Sequence, residues 1–140
     1  MQILSIGAAG VVQGALGTLL PVDSPRRRPP PSVRGRWGIA VVRGASMVPT
    51  LREGDRLLVS YRRPVRPGDL VVGVLADGTV AVKRAVERRT TASGAPGWWL
   101  LSDDLSAGVD SRHRGPVPED RVLGVVRARI RPRPRWFRAS

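Results

Sequence analysis

Between Trp37 and Ile130 the chain is punctuated by turn residues at short intervals, and this limits what it can fold into. Runs rich in valine and leucine are separated by segments that contain glycine, proline or aspartate. They are Trp37 to Arg43, Asp55 to Tyr61, Asp69 to Ala76, Thr79 to Val86, Trp98 to Leu101 and Arg121 to Ile130. Valine suits a pleated, half-buried surface because its branched Cβ stiffens the side chain. Asp77-Gly78 separates two of the runs and is a strong two-residue hairpin signal. Arg62 to Gly68 contains Pro64 and Pro67 and reads as a turn. Met47 to Arg52 reads as a short helix or turn. With 16 glycines and 13 prolines in 140 residues, short strands are favoured over long helices. The expected fold is one mainly β, antiparallel domain over residues 37–130, with a short N-terminal extension.

Residues 1–22 form an apolar extension. Ile3 to Leu20 has about the length of one membrane span, but Ser5, Gln13, Thr18 and several glycines dilute it. No basic residue precedes it, as a signal peptide would require. If the segment entered a membrane, Arg26, Arg27 and Arg28 would hold the following domain on the cytoplasmic side. Residues 23–36 contain Pro25, Pro29, Pro30 and Pro31 among arginines and read as an extended linker. Residues 131–140 are expected as a basic tail, and Arg127 to Arg138 as a solvated edge strand and tail.

Cysteine is absent. That excludes a disulfide framework, a thiolate zinc site and a cysteine nucleophile. A single histidine, His113, argues against a histidine-rich metal site, so no metal or organic cofactor is expected. The formal charge of +13 is compatible with nucleic acid or an anionic membrane surface. Aromatic residues, at 4%, are too few for a base-stacking platform, and nucleic acid is not the expected partner. Of the 24 basic residues only Lys83 is lysine. A lysine that survives this arginine bias suggests a task arginine cannot perform. Arginine does not deprotonate in proteins, whereas a buried lysine can become a neutral base.

Two segments carry candidate chemistry. Gly44 to Leu51 reads GASMVPTL. Gly44 permits an unusual backbone angle before Ser46, and Pro49 stops regular pairing after it. A serine hydroxyl there becomes a nucleophile only if a neighbouring base takes its proton. Taken alone, the segment is equally an ordinary surface turn. Thr79 to Val86 reads TVAVKRAV. Strand alternation sets Val80, Val82, Arg84 and Val86 on one face and Ala81, Lys83 and Ala85 on the other. Two small neighbours leave Lys83 room to lie in a poorly solvated slot, where desolvation lowers its pKa. An exposed strand lysine is the competing reading. Arg84, on the valine face, calls for a carboxylate. Asp55 and Asp69, each after a glycine, read as turn residues. Asp110, Ser111 and His113 are too close in sequence to converge as an independent triad on one strand. Trp98 and Trp99 read as core and edge packing.

GASMVPTL, EGDRLLV, VAVKRAV, SDD and DSRHRGPVP occur in the order and at the intervals of the type I signal peptidases, which this chain resembles over nearly all of residues 37–130. The compact form, with RPGDLVV and WWLLSDD, is most similar to the nickel-type superoxide dismutase maturation proteases of that family. The resemblance implies a serine endopeptidase with Ser46 as nucleophile and Lys83 as general base, on a signal-peptidase/repressor-protease-like antiparallel β domain. It implies Gly44 and the Ser46 N–H at the oxyanion turn. Met47, Pro49, Arg84, Asp103, Asp110 and Arg112 become supports of the site, with Asp110 and Arg112 as an acid–base pair. The implied partner is a precursor protein whose N-terminal extension binds as an extended strand, with small side chains near the cut. Weak membrane association is a further expectation.

Three positions depart from the family pattern. Gly44 stands where many members carry an oxyanion-stabilising serine. Gly108 stands where a serine often orients the base, with Ser106 as a substitute. Ser102-Asp103-Asp104 replaces Gly-Asp-Asn. The expected location is the cytoplasmic side, soluble or loosely tethered. The alternative is a membrane-anchored general signal peptidase with an extracytoplasmic domain. A self-cleaving repressor-type protease shares the dyad, and Ala9-Gly10 resembles its cleavage site, but no helix-turn-helix precedes Ser46. A catalytically silent arginine-rich binding module is the rival from another class.

Overall fold

The computed structural model describes residues 3–7, 11–14, 36–76, 78–107 and 109–138. Two N-terminal strands, β1 (Ile3–Gly7) and β2 (Val11–Gly14), precede β3 (Trp37–Val41), β4 (Arg56–Ser60), β5 (Leu70–Val74), β6 (Val80–Thr90) and β7 (Pro96–Leu101). A single-turn helix α1 (Ser111–Arg114), β8 (Val117–Pro118), a 3-10 turn (Glu119–Arg121), β9 (Val122–Arg131) and β10 (Arg135–Trp136) complete the order. The strands form one curled sheet in the order β2-β1-β3-β4-β9-β5-β6-β7-β8, with β10 also on β9. Neighbours are antiparallel except β1 and β3, which run parallel. The mainly antiparallel β fold expected from the turn-punctuated sequence is the fold the chain adopts.

The sheet separates two apolar clusters because alternate side chains face opposite ways. Leu57, Val59, Leu70, Val72, Val80 and Val82 belong to one cluster. Val71, Ala81, Ala85, Trp98, Leu100 and Val125 belong to the other. Strand β5 is buried along its whole length and contributes to both. Each fully buried valine or leucine contributes roughly 1.5–3 kcal/mol. Gly124 on β9 is required by close packing, since a Cβ there would lie 2.7 Å from the Ser60 carbonyl oxygen and 2.8 Å from Val59 Cγ1.

Several boundaries differ from the sequence expectation. Strand β6 extends past Val86 to Thr90. Glu87, Arg88 and Arg89 end the apolar run, yet their backbone continues to pair with β7. Ala85 pairs with Leu100 and Glu87 with Trp99, so Val86 is an extra residue, a one-residue bulge. The first five residues of the basic run expected as an edge strand and tail lie in β9, which sits between β4 and β5. Within the expected basic tail, Arg135 and Trp136 form β10 and pair with Arg129 and Ala128. Phe137 packs against the first cluster. β9 is an inner strand because β4 and β5 both pair with its backbone.

In the hairpin joining β5 and β6, Leu75 N–H donates to the Thr79 carbonyl at 2.7 Å, and Gly78 has φ of 85°. Its Asp77 lies outside the described residues, as do Ala9-Gly10, Gly108 and residues 23–35 of the expected linker. Within the apolar extension, the described parts are strands β1 and β2. Among the described residues no helix is long and apolar enough to cross a membrane.

Candidate active site

Ser46 sits in a tight turn after β3. Gly44 adopts φ of 86°, a left-handed conformation that disfavours residues with a Cβ. The turn closes through Val48 N–H to the Ala45 carbonyl at 3.1 Å and Leu51 N–H to the Met47 carbonyl at 2.8 Å. Met47 and Leu51 anchor it in the first apolar cluster. Pro49 is exposed in the same turn, while Ser46 is buried.

Lys83 is fully buried on β6. Its Nζ lies 3.3 Å from Ser46 Oγ and 2.8 Å from Ser102 Oγ. Burial pushes the Lys83 pKa below the ordinary lysine value, the Asp110 carboxylate opposes this, and Arg112 adds to the lowering. The arrangement brings the Ser46 hydroxyl and the Lys83 amine together in a buried position.

Ser102 follows β7 directly and is buried. Arg84 pairs with Leu101 in the ladder, so the next position along brings Ser102 opposite Lys83. Ser106, the expected substitute for the orienting serine that Gly108 replaces, does not serve Lys83: it donates its hydroxyl to Asp104 at 2.6 Å, and the hydroxyl beside Lys83 belongs to Ser102. The signal was available in the SDD triplet, where serine replaces the usual glycine.

The opposite face of the same ladder carries Arg84 and Asp103. Arg84 donates from Nε and Nη2 to the two Asp103 oxygens, each at 2.8 Å, and from Nη1 to the Gly68 carbonyl. Thr50 Oγ1 donates to Asp103 Oδ2 at 2.5 Å. Burial pushes the Asp103 pKa up, but the hydrogen bonds from Arg84 and Thr50 outweigh it and leave the carboxyl below its ordinary value. Asp103 N–H approaches Met47 Sδ at 3.4 Å, and Asp104 N–H donates to the Ser46 carbonyl at 2.9 Å. Residues 103 and 104 thereby tie the Ser46 turn to the end of β7.

Asp110, also fully buried, holds the other side of Ser102. Its Oδ2 accepts from Ser102 N–H at 3.0 Å, and its Oδ1 accepts from Arg112 N–H at 3.0 Å, capping α1. Arg112 Nη2 completes the ion pair at 3.0 Å. Burial pushes the Asp110 carboxyl up, yet Arg112 and the two backbone donors hold it at about 2. Ser111 Oγ accepts from Leu100 N–H at 2.9 Å, fastening α1 to β7.

Asp55 and Asp69 cap their turns by accepting from Arg52 N–H and Arg66 N–H. His113 is half-exposed, and its Nδ1 faces Asp110 rather than Ser46. Trp98 is buried; Trp99 is half-buried with the Arg89 guanidinium 3.9 Å over its ring. Two cavities lie at the 127 and 136–138 region and beside the 63–67 turn; neither is lined by Ser46 or Lys83.

Comparison with known proteins agrees with this architecture. The Peptidase S24-like family profile matches residues 14–106, which is more than half of the chain. The match takes in Ser46, Lys83, Ser102 and Asp103 and ends before Asp110. Mitochondrial inner membrane protease subunit 1 of Schizosaccharomyces pombe (strain 972 / ATCC 24843) is 27% identical over 120 residues, covering 71% of this chain and 76% of that protein. On the extent of the family match, the chain belongs to the Peptidase S24-like family and is a signal-peptidase-like protease.

Proposed function

We propose that the chain is a serine endopeptidase in which Ser46 is the nucleophile and Lys83 the general base. The observation that carries this reading is the fully buried Lys83 amine 3.3 Å from Ser46 Oγ. In its neutral form Lys83 takes the Ser46 proton as Oγ bonds to the substrate carbonyl carbon. The Ser46 N–H, presented by the Gly44 turn, donates to the developing oxyanion. Lys83 then passes the proton to the leaving amine, and the peptide C–N bond breaks. A water gives a proton to Lys83 and its oxygen to the acyl carbon. The Ser46 ester bond breaks, and the proton returns to Ser46 Oγ.

The substrate in this reading is a precursor protein whose N-terminal extension lies along the sheet as an added strand. The best candidate is a nickel-type superoxide dismutase precursor, supported by the RPGDLVV and WWLLSDD segments. Removal of its extension would free the amino terminus that helps ligate nickel. The catalytic domain would work on the cytoplasmic side, soluble or loosely tethered. A second reading, general processing of exported precursors at a membrane, draws support from the relative named as an inner membrane protease.

Mass spectrometry of the two precursor types decides between them. Cleavage of the dismutase precursor by the wild type, lost in Ser46→Ala and in Lys83→Arg, is the expected result. Arginine keeps charge and length but cannot accept the proton. Full activity in a folded Lys83→Arg variant would exclude the lysine base. Cleavage of exported precursors alone, with an extracytoplasmic reporter fused after Ser140, would favour the second reading.

A further inference from the structure

A cavity of about 440 Å³ opens between the 62–68 turn and the β6–β7 pair. Arg63, Arg66 and Arg88 line it, against the single carboxylate of Glu119. That carboxylate is engaged by Arg88 in an ion pair. The Arg63 and Arg66 guanidinium groups have no partner among the described residues. Trp98 also lines the cavity; it is 2% exposed, and its buried indole N–H has no acceptor. Buried donors are normally satisfied. This cavity therefore offers donors and positive charge, and its one carboxylate is engaged by Arg88. Val65 adds an apolar wall. The complementary ligand is a carboxylate on a chain with some apolar surface. A nucleobase fits less well, because the Trp98 ring is buried and the Arg88 guanidinium lies 5.6 Å over it, leaving no open face for stacking.

The position of the cavity is informative. Without a bulge, Arg88 would project to the face opposite Lys83. The extra residue Val86 shifts the alternation, so that Lys83, Ala85 and Arg88 share a face with Trp98, Leu100 and Ser102. Lys83 and Arg88 are four ladder positions apart, about 13 Å. Ala85, Leu100 and Trp98 are buried between them, so the cavity lies at the far end of the same β6–β7 pair that carries Lys83.

We propose that this cavity is an exosite for an acidic side chain of the polypeptide on which Ser46 acts. The assignment deepens the protease reading and rests on it for the identity of the ligand. The test uses the full chain carrying Ser46→Ala, so that binding is read without cleavage. Fluorescein-labelled peptides of about ten residues, one with two aspartates and one with asparagines in their place, are compared by fluorescence polarisation. The aspartate peptide is expected to bind roughly tenfold tighter, the size of one charge-assisted contact. Arg63→Gln with Arg66→Gln should abolish that difference, and Trp98→Phe should weaken the aspartate peptide selectively. Equal binding of the two peptides, or an undiminished preference in a folded double-glutamine variant, would overturn the proposal. So would displacement by an equal concentration of inorganic phosphate, or tighter binding of a single-stranded oligonucleotide. With Ser46 intact, the double-glutamine variant should raise KM for an acidic precursor and leave kcat in place. Complete lack of cleavage would count against the protease reading, while polarisation would still decide whether the cavity takes a carboxylate.

Discussion

Replacing Ser102 by alanine removes one oxygen atom from the site and leaves its scaffold in place. The Ser102 backbone N–H still donates to Asp110, so the segment keeps its anchor. The lost partner is the nearer of the two hydroxyls around Lys83, at 2.8 Å against 3.3 Å for Ser46. Both Lys83 and Ser102 are buried, so water does not readily substitute. Leaving a buried donor unmatched costs about 1–3 kcal/mol. At about 1.36 kcal/mol per factor of ten, kcat should fall roughly ten- to a hundredfold, with KM little changed. The hydrogen bond also favours the ammonium over the amine, so its loss should move the acid limb of the pH–rate profile to lower pH. Ser102→Thr retains the hydroxyl and should restore most of the rate. Steady-state cleavage of a precursor peptide across pH, with thermal melts to verify folding, measures each of these. A folded Ser102→Ala enzyme with wild-type kcat and an unmoved acid limb would refute a positioning role for the hydroxyl.

Wild-type activity should rise with pH as Lys83 loses its proton, at a pKa that burial holds below the ordinary lysine value. His113→Ala should preserve this limb, and its disappearance in that variant would transfer the base to histidine. The Asp110 carboxyl, held at about 2, contributes about 2 kcal/mol of stability above the unfolded carboxyl pKa near 4. That contribution is lost as pH falls from about 4 towards 2, so Asp110→Asn should reduce the fall in Tm over this interval; an equally steep fall would argue against it. Gly124→Ala forces a Cβ to within 2.7 Å of the Ser60 carbonyl oxygen and should lower stability by about 1–3 kcal/mol, read as a reduced urea midpoint. An unchanged midpoint would mean that the β9 backbone yields more easily than its packing implies.

The legible parts of the fold were those set by local pattern. Alternating valines and an Asp-Gly pair announce the β5–β6 hairpin without reference to the rest of the chain. The same alternation separates Val80 and Val82 from Ala81 and Ala85, and the two sets lie in different apolar clusters. Strand neighbours were not legible: arginines on β9 suggested an edge, because sequence does not state which backbones lie beside it. Ser102 escaped for a related reason. Its partnership with Lys83 depends on the register of β6 against β7, including the bulge at Val86. The family resemblance directed attention to position 108 instead. Arg84 on a valine face signalled a carboxylate, but only the ladder identifies Asp103 as the acceptor.

The burial of Lys83 also affects how the chain meets reagents directed at primary amines. It is the chain's one lysine, and its side chain is fully covered. Acylating labels, aldehydes and isopeptide-forming enzymes therefore find no lysine ε-amine on the folded surface, despite 24 basic residues. Arginine supplies the charge without supplying that reactivity. Modification at Lys83 requires the sheet to open, and its rate becomes a single-site measure of opening around the Ser46 turn.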